Sequence, residues 1–371
     1  MKLSGLYQVL CFILYLSCTS FVMASQVIVY YDGDGEAIKI AAKIYGEQAA
    51  VDVRIKHGKP EELFNKLKED GEGAQADIYI SKHAAFMEMG REQGLFQKAT
   101  SPSGLMKGEI EESLKRMHFA DQRIADELFD QLPGLTDFTQ GLPIRFRAED
   151  DTWLGLASSA RVLLVSTGSS EAYDLKSVFE LADPKWKGRI AMTSFYDEDT
   201  LSAIATYRQL LGDKKVENWL LGLKDNLEGK VYEDANAAVK ALNTGKKEVA
   251  WVNHNYRKID LNRSVSSAKV DMVLADSDEK GAGLPWNITG AAILKSSQNA
   301  FDAQGFIAFL LSEEGQEAFI GVDSLFSINN IVPPDPNMTF GHVFKEADVP
   351  LKLYGVRRGD TIDMLKTLDM P

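Results

Sequence analysis

Cysteine is nearly absent: the chain has two, Cys11 and Cys18, both within its first 18 residues. Whatever follows residue 25 therefore folds without disulfides, and it can offer neither a catalytic thiol nor a thiolate metal site. Beyond residue 25 no apolar run is long enough to cross a bilayer. An excess of positive charge is also missing. With 41 basic and 54 acidic residues the formal net charge is −13, and such a surface repels phosphate backbones and anionic lipid, so no nucleic-acid partner is expected. Catalytic signatures are lacking too. There is no Gly-x-Ser-x-Gly elbow, no Walker loop and no His-Glu-x-x-His. The five histidines, at 57, 83, 118, 254 and 342, accompany no nucleophile motif. An exported enzyme using His254 or Asp34 as acid or base is accordingly the weakest reading, and a non-enzyme is expected. Asp32-Gly33-Asp34-Gly35 and Asp276-Ser277-Asp278 resemble the start of a calcium loop, but both lack the carboxylate needed at the twelfth position and read as solvated turns.

What is present begins with a leader. Lys2, an apolar run from Leu6 to about Leu16, and Val22-Met23-Ala24 predict a secretory signal peptide over 1–25, cut near Ala24 or Ser25. Cys18 follows Leu16-Ser17, but Tyr15 stands where a lipobox wants Leu, so lipid anchoring is not expected. Strands and helices then alternate. Val27–Tyr31, Val51–Ile55 and Asp77–Ser81 read as strands, with helices at about 35–48, 60–70 and 84–93 between and after them. A β-α-β-α-β run of this kind forms a parallel sheet that binds ligands at the carboxyl ends of its strands. Residues 99–150 break the pattern and predict a helical insertion, with segments at Lys107–Met117 and Asp121–Leu132. Alternation resumes at Ala160–Ser166 and continues through Glu248–Asn253 and Ala291–Leu294, and the tail 345–371 predicts two short helices. No internal repeat or long linker appears, which fits two lobes joined by crossing strands.

Four longer stretches carry a family resemblance: Leu181 to Ile190 (LADPKWKGRI), Ala250 to Asn253 (AWVN), Ile288 to Lys295 (ITGAAILK) and Phe309 to Ala318 (FLLSEEGQEA). With Val29-Tyr30, Gly58-Lys59 and Ala76-Asp77, and in this order, they resemble the periplasmic ferric-ion-binding proteins, the bacterial transferrin-like solute-binding proteins of ABC importers. The resemblance implies an α/β class II periplasmic-binding fold, two α/β lobes flanking a cleft that closes on its ligand. It implies a first lobe over 26–158 and 281–330, and a second over 159–280 and 331–371. It further implies a periplasmic location, an ABC permease and its ATPase as partners, a monomer, and no resident cofactor, Fe3+ being the transported ligand. A receptor that signals rather than transports would capture ligand in the same way.

The family's iron site is only partly matched. Its members place a histidine after the first strand, an acidic group after the third and two adjacent tyrosines after Asn-x. Here Asp34 stands in the first position, where it could equally cap the following helix, and Lys82 in the second, with His83 beside it. Asn255-Tyr256 replaces the tyrosine pair, with His254 just ahead, and Tyr196 stands near a further tyrosine of some members. Two readings stay open. A rearranged ferric site would use Asp34, His83, Tyr196 and Tyr256, whose phenols ordinarily ionise near pH 10 but yield to a hard trivalent cation. Alternatively the cleft takes an anionic organic solute such as a sugar phosphate or phosphonate. That solute would be held by Lys82, Thr193, Ser194, Asn253, His254 and Asn255, with Trp286 as an apolar wall or a hinge-facing core residue.

Overall fold

The computed structural model describes residues 25–33, 35–99, 142–258, 269–328, 332–333 and 344–371. The expected leader, Asp34 and the insertion's helical segments lie outside the described residues.

Apolar residues at alternating positions set the first sheet. β1 (Ser25–Tyr31) buries Val27 and Val29 completely and pairs in parallel with β2 (Val51–His57) and β3 (Ile78–Ser81). Two helices connect them. α1 (Glu36–Ala49) seats Ala37, Ile38 and Ala41 on the sheet. α2 (Pro60–Asp70) opens with proline in its first turn followed by Glu61 and Glu62, a sequence suited to a helix N-terminus, where a missing N–H costs nothing and negative charge meets the dipole. α3 (Ala84–Glu92) follows β3.

β4 (Leu154–Ser166) is the element that makes two lobes from one chain. Its first half pairs antiparallel with β8 (Trp286–Ile293), which itself lies antiparallel to β3. Its second half, from Arg161 on, pairs with β6 (Val249–Asn253) and β7 (Val270–Val273), both antiparallel. The strand therefore belongs to the first sheet up to Ala160 and to the second beyond it. β5 (Ile190–Ala191) lies parallel to β6. α4 (Glu198–Leu211), α5 (Asp213–Leu227) and α6 (Ala235–Asn243) pack around this second sheet. The chain then returns through β8 to the first sheet, which α7 (Ala300–Leu311) and α8 (Glu313–Asp323) cover. A short β9 (Phe326–Ser327) pairs with Ala157 and Ser158 of β4.

Separate cores follow from this path. Trp153, Phe64, Tyr79 and Phe306 belong to the first; Trp186, Trp219 and Trp251 form the heart of the second, with ring centroids of Trp219 and Trp251 5.3 Å apart at 80°. The buried glutamate Glu88 is satisfied by the Trp153 indole at 2.8 Å and by Arg91 at 2.9 Å. The tail differs from its sequence reading. It carries one helix, α9 (Lys352–Thr367), in place of two, and that helix touches both cores rather than the second alone. Every residue from Gly355 to Thr367 fits a continuous helix, and Gly355 and Gly359 lower its propensity without breaking it. No helix among the described residues is long and apolar enough to cross a membrane.

Candidate functional site

The carboxyl ends of β1, β3, β5 and β6 and the start of β8 converge where β4 changes sheets. On the first-lobe side the turn after β3 is anchored to β1. Asp32, buried, accepts the Ser81 hydroxyl and, at 2.6 Å, the Lys82 N–H. Burial raises the Asp32 carboxyl above its ordinary range, with His83, Ser81 and the Lys82 N–H opposing. Ser81 Oγ in turn accepts the His83 N–H at 3.1 Å. That anchoring delivers His83 to the cleft as the residue preceding α3.

Asn287 faces His83 from β8. Its Oδ1 accepts the Ala84 N–H at 3.0 Å, which aims Nδ2 at His83 Nδ1 (3.3 Å) and at Asp199 Oδ1 (3.4 Å). Asp199 belongs to the second lobe, in the first turn of α4, and lies 3.6 Å from His83 Nδ1. One imidazole and one carboxylate thus meet across the cleft. Burial opposes charge on His83, but the carboxylates of Asp199 and Asp32 outweigh it and hold the ring above its usual value. Burial likewise opposes the Asp199 anion, yet His83 and the Arg161 guanidinium keep it below the usual carboxylate range. Asp197, the N-cap of the same helix, accepts the Thr200 N–H at 3.2 Å. Its carboxyl is raised by burial and then by the Asp199 charge, so the two acids divide into one held ionised and one more easily protonated.

Arg161 forms the floor of the second-lobe side. It is 4% exposed, lies 4.8 Å from the Trp251 ring, and donates to Thr200 Oγ1 at 2.7 Å and Asn253 Oδ1 at 3.3 Å. Burial lowers its pKa, and the Asp197 and Asp199 carboxylates counter this. Tyr256 closes the group. Burial, then the charges of Asp199 and Asp197, push its phenol well above the ordinary value, and Arg161 opposes them. At the centre, between Ser159, Arg161, Asp199, Asn253 and Asn287, the open space is about 10 Å³, roughly room for one water or one bare ion.

The structure sorts the sequence candidates. His83 reaches Asp199 at this crevice, Tyr256 lies close enough to feel the Asp199 and Arg161 charges, and Asn253 joins through Arg161 and through its Nδ2, which donates to Ser159 Oγ at 3.3 Å. Asn255 is buried, and its Oδ1 has no hydrogen-bond partner among the described residues. His254 does not face the cleft. Its ring stacks on Phe326 at 3.9 Å and 4°, Nδ1 accepts the Ala160 N–H at 3.2 Å, and Nε2 faces the Ser324 backbone without a well-formed hydrogen bond. Burial pushes its pKa down to about 4. Such a ring is a neutral hinge residue with its one lone pair already used. Lys82 Nζ points to Asp323, 4.0 Å away, which Lys258 of the second lobe also approaches at 3.6 Å. Thr193 Oγ1 is engaged with Thr200 Oγ1 at 3.2 Å. The Ser194 hydroxyl donates to the Pro371 backbone oxygen at 3.3 Å and accepts the Tyr196 N–H at 3.2 Å, so Pro371 occupies the turn read as an anion cradle. Tyr196 packs on the second core, and no hydrogen bond among the described residues links its hydroxyl to His83, Asp199 or Tyr256. Trp286 donates to the Ala347 carbonyl at 2.9 Å within the first core and also lines the central space, so it serves both as a core residue and as a wall.

Sequence reasoning missed Asp199, Arg161 and Asn287. Two left signals. A charged Arg161 in the otherwise apolar run Ala160–Val165 had to find a buried partner. The acidic run Asp197-Glu198-Asp199 opens a helix at a strand end, where ligands gather. Asn287 read only as a chance glycosylation triplet.

The family model for bacterial extracellular solute-binding proteins matches residues 40–342. The major ferric iron-binding protein of Neisseria meningitidis serogroup A is 28% identical over 310 residues, which is 82% of this chain and 81% of that protein. A ferric binding protein from Campylobacter jejuni superposes with a TM-score of 0.77 at 19% identity, over 93% of this chain and 100% of its own. AfuA of Actinobacillus pleuropneumoniae, solved with exogenous fructose-6-phosphate bound, gives a TM-score of 0.68 at 18% identity, over 92% of this chain and 98% of its own. At these identities the structural likenesses establish the two-lobed fold and no more.

Proposed function

Because the chain belongs to the bacterial extracellular solute-binding protein family, we propose that it captures ferric iron between its lobes in the periplasm and delivers it to an ABC permease and its ATPase. In this reading residues 1–25 are removed on export and the protein works as a monomer. The observation that carries the proposal is the crevice itself. His83 from one lobe meets Asp199 from the other at 3.6 Å, the Tyr256 phenol lies close enough to feel the Asp199 and Asp197 charges, and Asp199 also lines a space of about 10 Å³. Imidazole, carboxylate and phenolate are the donors a hard trivalent cation prefers, and the space suits an ion far better than a sugar phosphate. Relatives named for ferric iron point the same way.

Among the described residues no three His, Cys, Asp or Glu side chains form a metal cluster. In this reading the Tyr256 phenolate supplies a further donor, and an exogenous ligand completes the set. Lobe closure brings the two half-sites together and requires no covalent chemistry from the protein.

Titration of metal-free protein with ferric citrate tests this. A visible tyrosinate charge-transfer band that saturates at one iron per chain is expected. A colourless protein whose melting temperature rises with a sugar phosphate or phosphonate refutes the iron reading.

A further inference from the structure

The last helix is shared between the lobes. Val349, Leu351 and Tyr354 are buried in the first core, whereas Leu365 and Met370 are buried in the second. On the first-lobe side α9 runs so close to α3 that a Cβ added at Gly355 would meet Glu88 Cβ at 3.0 Å. On the second-lobe side Thr361 accepts a 2.8 Å hydrogen bond from Arg208 of α4. Tyr354 spans both: its hydroxyl donates to the Trp286 carbonyl at 2.7 Å, where β8 begins, and lies 3.5 Å from Thr206 Oγ1 in α4.

Arg358 stands at the middle of this helix, between two helix starts. Its Nε and Nη2 donate to the two carboxylate oxygens of Glu198 at 2.9 and 2.5 Å. Its guanidinium also lies 4.9 Å from the ring of Phe86, in the first turn of α3, and 3.8 Å from Glu61 of α2. The ion pair is largely shielded, with side-chain exposures of 12% and 13%. An arginine fork on a carboxylate fixes orientation as well as distance. Glu198 is the first residue of α4, flanked by Asp197 and Asp199. Three successive carboxylates suit a helix N-terminus but repel one another. The fork neutralises the middle one and holds it on the α9 side.

We propose that α9 is an interlobe strap and Arg358 a positioning residue for ligand capture. Arg358 fixes the start of α4, which carries Asp199, against the start of α3, which follows His83. Lobes that separate must break the Glu198 fork or peel α9 from one core. The inference rests on the cleft being the ligand site, and the test keeps the two readings apart.

The experiment combines small-angle X-ray scattering of the ligand-free protein with ferric citrate titration, on wild type, Arg358→Gln, Glu198→Gln and Arg358→Lys. Both glutamine variants are expected to show a larger radius of gyration and about tenfold weaker iron binding, equivalent to ~1.4 kcal/mol. Arg358→Lys keeps the charge without the fork and is expected to expand less. If a glutamine variant fails to fold, this lysine variant carries the readout. Scattering identical to wild type in Arg358→Gln and Arg358→Lys overturns the strap, whatever happens to affinity. A wild type that binds no iron while the variants still expand refutes the ferric reading and supports the strap.

Discussion

Replacing Tyr256 by phenylalanine separates the phenol's role in binding from its role in packing. The substitution removes one oxygen and leaves the ring against the cluster of Ala160, Val162 and Val252, so the fold should lose no more than ~1 kcal/mol. Binding should change much more. The Tyr256 phenol is held protonated by burial and by the Asp199 and Asp197 charges, so a ferric ion that takes its oxygen must expel a proton. Each proton released steepens the dependence of affinity on pH by about tenfold per unit, ~1.4 kcal/mol. Through this group alone, wild-type affinity should therefore rise about 100-fold from pH 6 to pH 8. In Tyr256→Phe the slope of log affinity against pH should fall by about one, and the charge-transfer band should fade. Ferric citrate competition titrations across that pH range, read by visible absorbance, measure both. A variant with wild-type affinity and an unchanged slope refutes the assignment of Tyr256 as a ligand.

Two further substitutions probe the frame around the site. His254 has a folded pKa of about 4, below its unfolded value of about 6.5. The unfolded chain binds the extra proton first, so the stability this residue contributes is present above about pH 6.5 and is lost as pH falls toward 4, by ~3 kcal/mol. His254→Phe leaves the Ala160 N–H unpaired and should cost ~1–3 kcal/mol at pH 7.5. It should also flatten the acid limb; urea unfolding at several pH values reads both, and an unaltered limb would count against a neutral buried ring. Asp32→Ala strips the acceptor from the Lys82 N–H and the Ser81 hydroxyl. It should destabilise the protein by ~1–3 kcal/mol and weaken ligand binding through a displaced His83, measured by calorimetry and titration; a loss of stability with intact binding would show that the turn is held by other contacts.

Much of the architecture was legible along the chain because sheet and helix periodicities are local. The parallel opening β1-α1-β2-α2-β3 could be read from apolar alternation and from Pro60 at a helix start. Even so, β4 appeared only as Ala160–Ser166. Leu154–Ser159 is not legible as strand, because Ala157, Ser158 and Ser159 are small or polar, with little strand propensity of their own, and pairing with β8 and β9 holds them extended. At the site, the Asn253–Tyr256 corner and His83 could be marked because they end strands. His254 was marked for the same reason, and nothing local could show that its ring would turn onto Phe326.

The sequence by itself determined the family, the alternation of elements and the kinds of donor available: the imidazoles of His83 and His254, the phenols of Tyr196 and Tyr256 and scattered carboxylates near strand ends. Only the tertiary structure decided which of them meet. His83 and Asn287 are 204 positions apart, and Asn287 and Asp199 are 88 apart. Their mutual orientation depends on where β4 passes from one sheet to the other. Charge balance is decided there too. Burial sets the cost of an ion and distance sets its compensation, so Arg161, Asp199 and Tyr256 acquire their protonation behaviour from neighbours that no local pattern places beside them.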